Sequence, residues 1–326
     1  MILADTHMRI LYKYVGFGTE EEPVPIQLRT QTLSATDPGR LNDPFEVRPW
    51  FDQERHAYYA RAHEQFYRQL GLGSSLTAEG TLAEVPVENV VGFSDTLNRR
   101  FREELSKRFR ILCLSANRSN VLMWGHYTRS YQGAVIGIDV DDLAFTVGMQ
   151  RKGFAIDYLR DRSQTRLPLA YYQFPPVEKY DLRGELVNDP NEEVVTDGGL
   201  IIPFSTYYQQ VQDAYLRAIT TKAASWSYEE EIRFIYELPT HSDQLRSANG
   251  LALVALPPSA IREIIVGFNA TIPMVEGIVS LFGQGAFGSA QLHYTTCHPH
   301  LFEVQAHETD SDYLLDYFRV ILPAKD

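Results

Sequence analysis

The chain has 326 residues, 44% hydrophobic and 22% charged, enough to bury a full core in one large domain or two. Its 30 Lys and Arg against 42 Asp and Glu leave a formal charge of −12. That excludes retention on nucleic acid by a broad basic surface, though not a local basic groove. Two cysteines, Cys113 and Cys297, give no disulfide framework, no signal peptide opens the sequence, and no uncharged apolar run approaches about 18 residues, so a cytoplasmic protein without a membrane span is expected.

In chain order, residues 8–15 (MRILYKYV) read as a first strand bearing Lys13 and Tyr14, and the alternation in IQLRTQTLSA predicts its hairpin partner. Asn42-Asp43-Pro44 is turn chemistry, because Asn and Asp bond their own backbone and Pro fixes φ; next to a strand edge it could also aim Asn42 or Asp43 into a cleft. Trp50 to about Leu70 carries aromatic residues at helical spacing, 71–90 reads as a long connection, and a second helix, charged on one side, is predicted at about Asp95–Arg108. Residues 50–108 are therefore expected as a helical insertion.

A strand over Arg110–Ser115 leads to Ser119 or Asn120, either able to cap a helix that runs to about Tyr131 and is stopped by Gly133. Trp124, Tyr127 and Tyr131 share one stripe of that helix, with His126 about one step of 100° aside. Such a face suits a planar ring ligand, although a lone helical His is more often structural. AVIGIDV is the next strand, a short strand is expected around Gly153–Tyr158, and 203–222 is an amphipathic helix. Then come LALVAL as a buried strand, a short helix opened by Pro257-Pro258-Ser259, EIIVGF as a strand, a helix at about Thr271–Phe282, strands near QLHYTT and LFEVQAH, and a last helix over Asp312–Leu322. His293, Cys297, His298 and His300 have the residue types of metal ligands, but Pro299 forces an extended turn and no second Cys/His pair stands at zinc spacing; no metal is predicted.

The stretch Lys222–Leu238, read as a strand, separates into two faces. Ile232, Phe234, Tyr236 and Leu238 form an apolar side, while Glu229, Glu231 and Arg233 project from the other, about 6.5–7 Å apart at each step. A solvated sheet face or a structural ion-pair network shows the same pattern. Paired carboxylates whose repulsion splits their pKa values also suit acid/base work, or stabilisation of a cationic intermediate. No P-loop, GxGxxG before a helix, or GxSxG elbow is present.

Taken together, LYKY (Leu11–Tyr14), LNDPFE (Leu41–Glu46), CLS (Cys113–Ser115), MWGHY with Gly133, the K…W.YE.E.R of Lys222–Arg233 and, weakly, PPSAIREIIVG resemble the domain of unknown function 2971 family, DUF2971. Leu41 stands where that family's asparagine-aspartate-proline motif begins with Phe. The order of blocks is also similar to that of ADP-ribosyltransferases, in which a first strand offers Arg or His to NAD, a second ends in a Ser or Tyr motif entering a helix, and a later strand presents a glutamate. The resemblance implies an ADP-ribosyltransferase-like core with NAD as substrate, and Glu231, Glu229 and Tyr127 as catalytic residues. It implies NAD contacts from Lys13, Tyr14, Ser115, Trp124, His126, Arg233, Asn42 and Asp43. Trp124 and Tyr127 would sandwich the nicotinamide, and Arg233 or Lys13 would hold the pyrophosphate. The departures are Lys13 in place of Arg or His, and Cys-Leu-Ser in place of Ser-Thr-Ser.

The expected fold is a single α+β domain over 1–326, with mixed, mostly antiparallel strands flanked by helices. The leading functional expectation is an NAD-dependent ADP-ribosyltransferase or NAD glycohydrolase, such as a toxin or anti-phage effector, acting on a macromolecular acceptor, protein or nucleic acid. The alternatives are a metal-dependent nucleic-acid hydrolase using Glu229, Glu231 and His126, and a non-catalytic module that binds a nucleotide or phage component.

Overall fold

The computed structural model describes residues 10–49, 87–145, 147–161, 193–195 and 201–321. It divides into two compact units: residues 1–41, 106–158 and 224–326 form the first, and residues 42–105 and 159–223 the second. The helices are α1 (Ile26–Thr30), α2 (Val87–Arg108), α3 (Val121–Tyr127), α4 (Phe204–Ile219), α5 (Ile272–Gly283) and α6 (Ser311–Ile321). Strands of the first unit are labelled β1 (Ile10–Val15), β2 (Thr32–Ala35), β3 (Phe109–Ser115), β4 (Ala134–Asp139), β5 (Phe154–Ala155), β6 (Glu231–Glu237), β7 (Leu245–Ala248), β8 (Leu251–Ala255), β9 (Ile261–Val266), β10 (Gln291–Cys297) and β11 (Val304–Thr309).

Among the described residues, eight of these strands form one sheet in the order β11-β10-β9-β4-β1-β3-β6-β5. Every pairing is antiparallel except β9 with β10, so the fold is α+β with a mixed, mostly antiparallel sheet. Strand alternation assigns each side chain to a face. Leu11, Val15, Leu112, Leu114, Ile136, Ile138, Phe234 and Ile264 point into the main core, with Met274 and Ile278 of α5 and Leu314 and Phe318 of α6. The opposite face carries Tyr14, Val135 and Ile265 with Met123 and Trp124 of α3. Burial on both faces explains why AVIGID reads as a nearly continuous apolar run.

Local chemistry departs from several expectations. IQLRTQTLSA does not pair with β1: Ile26–Thr30 is the helix α1, closed by Gln31 in the left-handed region, and β2 joins the three-stranded sheet β7-β8-β2. LALVAL is a strand only over Leu251–Ala255 and is partly buried, with Val254 and Leu256 its buried residues. Asn120 caps α3, accepting from the Leu122 and Met123 amides, but the helix ends at Tyr127. Arg129, Ser130 and Tyr131 follow with φ of 51°, 58° and 67°, so three left-handed residues stop the helix, not Gly133. Gly133 has a different duty, since a Cβ there would lie 2.0 Å from the Val15 carbonyl oxygen.

Lys222–Leu238 is not one strand. Thr221–Ala223 is extended, Ala224–Glu229 is a 3-10 turn, and Glu230 at φ 44° swings the chain into β6. Only Glu231 and Arg233 therefore share a strand face, and the strand spacing inferred for Glu229 does not apply.

In the second unit, α2 and α4 meet through Phe101 and Tyr215, whose ring centroids are 5.5 Å apart, while the Tyr215 hydroxyl donates to Glu104 at 2.9 Å. Residues 193–195 and 201–203 pair as a two-stranded ribbon. The helix expected at about Asp95–Arg108 begins earlier, at Val87. The one expected from Trp50 to Leu70 lies outside the described residues.

Candidate functional site

The site forms where the loop after β3 meets the turn before β6. Ser115 closes β3, and its hydroxyl donates to the Glu229 carbonyl at 2.7 Å. The Ala116 amide donates to the Glu230 carbonyl at 2.9 Å, and Asn117 Nδ2 donates to Glu230 Oε1 at 2.8 Å. Asn120 caps α3 and also donates from Nδ2 to the Tyr228 carbonyl at 3.0 Å. Four hydrogen bonds from a six-residue stretch thus fix the turn that carries the acidic triplet.

On this frame Glu229 is 3% exposed, Glu231 7% and Arg233 1%. Tyr127 donates its phenolic proton to Glu229 Oε1. Arg233 grips Glu231 in a fork, Nε to Oε1 and Nη2 to Oε2, each 2.9 Å. Charge-assisted paired bonds of this kind fix orientation as well as energy. The Glu231 amide donates to the Tyr158 hydroxyl at 2.8 Å. Burial pushes the Tyr158 phenol up, as it does the Cys113 thiol opposite Arg233, where the Glu231 charge adds to the effect. Ser115, Tyr127, Glu229, Glu231 and Arg233, expected together from sequence, are together.

The other expected residues separate into roles. Lys13 donates from Nζ to the Cys113 carbonyl at 2.9 Å, so it braces β3. Tyr14 is buried and donates to the Asn117 carbonyl at 2.8 Å, holding the loop. His126 stands 6.3 Å from Tyr228, ring centre to ring centre. Trp124 is fully buried, its indole N–H donating to the Arg118 carbonyl at 2.9 Å and its ring stacked on Tyr131. It exposes no face for a nicotinamide, because it is packed between Tyr131 and Tyr14 in the cluster on the sheet. Asn42 and Asp43 belong to the second unit, where Asp43 Oδ1 accepts from the Phe45 amide at 2.9 Å in the plain turn that their sequence specifies. That unit also holds a cavity of about 240 Å³, lined by Phe45, Val47, Arg48, Leu159 and Lys222 among others.

Sequence reasoning missed the row on which Glu231 lies. Glu231 is opposite Ser115, Ser115 opposite Tyr12, Tyr12 opposite Gly137, and Gly137 opposite Glu263. One row thus crosses five adjacent strands, with a carboxylate at each end. Glu263 is buried, takes an N–H from Arg118 Nη1 at 2.6 Å, and lies 3.6 Å from His293 Nδ1. Burial, then the Glu263 charge, push the Tyr12 phenol up to about 12. Burial lowers the His293 imidazole, against the pull of Glu263. Strand pairing between distant segments creates this row; its one local trace was the charged pair Arg262-Glu263 inside an otherwise apolar strand. Among the described residues no three His, Cys, Asp or Glu side chains gather closely enough to hold a metal ion, the 293–300 histidines included. No described helix is long and apolar enough to cross a membrane.

Residues 123–234, which run from α3 through most of β6, match the model of a family described as Protein of unknown function (DUF2971). Searches of curated proteins and of solved structures return no match.

Proposed function

We propose that the DUF2971 segment, completed by β1 and β3, forms the centre of an NAD-dependent ADP-ribosyltransferase or NAD glycohydrolase. One observation carries this reading. The three strands that the resemblance singles out are neighbours in one sheet, and Tyr12, Ser115 and Glu231 lie opposite one another on it. Lys13, where that resemblance expects Arg or His, braces Cys113, while Tyr12 stands in the row instead.

In the proposed reaction the bond between ribose C1 and the nicotinamide nitrogen breaks, and its electron pair leaves with the neutral ring. The cationic sugar is met by Glu231, a carboxylate already held in orientation by Arg233, which therefore needs no rearrangement as charge develops. An acceptor hydroxyl or a water then bonds to C1 and gives up its proton. Glu229, buried and oriented by Tyr127, is the base assigned to that proton.

The test is nicotinamide release from NAD. Wild type is expected to release it, and Glu231→Gln to do so about 10²- to 10³-fold more slowly. No release from either protein, with folding intact and candidate acceptors supplied, overturns the reading. The buried Glu231–Arg233 fork favours a second reading, nucleotide binding without turnover. Saturable NAD binding to wild type, unaccompanied by nicotinamide release, is its signature.

A further inference from the structure

The geometry points to Arg118, at the Glu263 end of the strand row, as an oxyanion-binding residue, and we propose that it takes an oxyanion of a nucleoside diphosphate. The diphosphate rests on the reading above; the anion contact does not.

Arg118 sits in the loop between β3 and α3, and the loop backbone is held on either side of it. The Ser119 amide donates to Asn117 Oδ1 at 2.9 Å, and Tyr14 and Trp124 bond the carbonyls of Asn117 and Arg118. From that fixed base the side chain reaches Glu263, Nη1 to Oε2, at 2.6 Å. Gly137 makes the approach possible, since a Cβ there would meet Glu263 Cγ at 2.5 Å. The two ends of this pair differ: the Glu263 side chain is 6% exposed and that of Arg118 is 40% exposed.

A guanidinium carries five N–H donors in a rigid fork. Among the described residues Arg118 spends one of them, on Glu263. The remaining edge stays open to solvent while the buried carboxylate keeps the fork from folding away. Arg233 is buried and gripped through two nitrogens by Glu231, and Lys13 is bonded to Cys113, so neither expected pyrophosphate ligand is placed as Arg118 is. Because Glu263 offsets the charge of Arg118, binding here depends on directed N–H groups rather than on bulk positive potential. A planar fork suits tetrahedral oxyanions in a way that a lysine point charge does not.

The experiment is calorimetric titration of the full chain with ADP, which has no nicotinamide to lose. Wild type is expected to bind it, and Arg118→Gln and Arg118→Lys to weaken binding about 10- to 100-fold, the range for charged hydrogen bonds. Arg319→Gln, which removes an equal charge from the exposed Arg319–Glu276 pair, is expected to leave affinity unchanged. Thermal melts check folding, and the Arg118→Gln/Glu263→Gln double variant keeps the pair neutral should the single change unfold the protein. ADP binding through Arg118 without nicotinamide release supports this assignment while removing the glycosyl-transfer reading. Nicotinamide release that depends on Glu231, with KM for NAD unaltered in folded Arg118→Lys, overturns the assignment while leaving that reading in place. Absence of ADP binding by wild type also overturns it.

Discussion

His293 sits buried on β10 with no hydrogen-bond partner for Nδ1 among the described residues. It faces Glu263 of β9, with Arg118 of the α3 loop and Glu308 of β11 also acting on it. Its imidazole is held below the ordinary 6.5, chiefly by burial. The sign follows directly: as pH falls through about 6.5 the unfolded chain takes up a proton that the folded one resists, so this group lowers stability on the acid side. His293→Gln is expected to flatten that part of the profile, measured by denaturant unfolding at several pH values between about 7.5 and 5. A slope equal to wild type would show that the imidazole takes no part. At this scale the sequence was informative where partners are two residues apart, as with Glu231 and Arg233. It was silent on Arg118 and Glu263, which are 145 positions apart and meet only because the sheet brings them together.

Two glycines in and after α3 behave oppositely. Gly133→Ala would drive a methyl group into the Val15 carbonyl, 2.0 Å from the ideal Cβ position, and is expected to cost about 3 kcal/mol in denaturant unfolding. Gly125 lies inside α3, and a Cβ added there would meet nothing within 4 Å, so Gly125→Ala is expected to stabilise by about 0.5–1 kcal/mol. Equal effects from the two changes would contradict the packing described. Most of the strands and helices of the first unit were legible, because the strand-forming runs of β1, β3, β4 and β9 and the helical pattern of α5 are strong. The 222–238 stretch misled because alternation of polar and apolar residues continues through a 3-10 turn as it does through a strand. Only Glu230 in the left-handed region breaks it, and a Glu carries no sign of that conformation. IQLRT misled similarly: five residues are too few to show a helical period.

The first unit is assembled from three separate stretches of chain. β1 and β2 come from the first, β3 to β5 from the second, and β6 to β11 from the third. A fragment ending at residue 223 would leave β3 without β6 and β4 without β9. Such edges expose both hydrogen-bonding groups and apolar side chains, so the fragment is expected to lack a cooperative unfolding transition by circular dichroism. Topology of this kind cannot be read from local pattern, which is why the sheet class was accessible from sequence and the strand order was not.

The row from Glu231 to Glu263 also determines which kinds of change the protein tolerates. Deleting or inserting one residue inside β3 or β1 would alter composition very little, yet parity would reverse beyond that point. Ser115 or Tyr12 would then rotate into the oily interior, and a leucine would take its seat beside Glu231. Loop-length variation between strands is harmless by comparison, so lineages carrying this sheet should differ in their connections while keeping each strand's count.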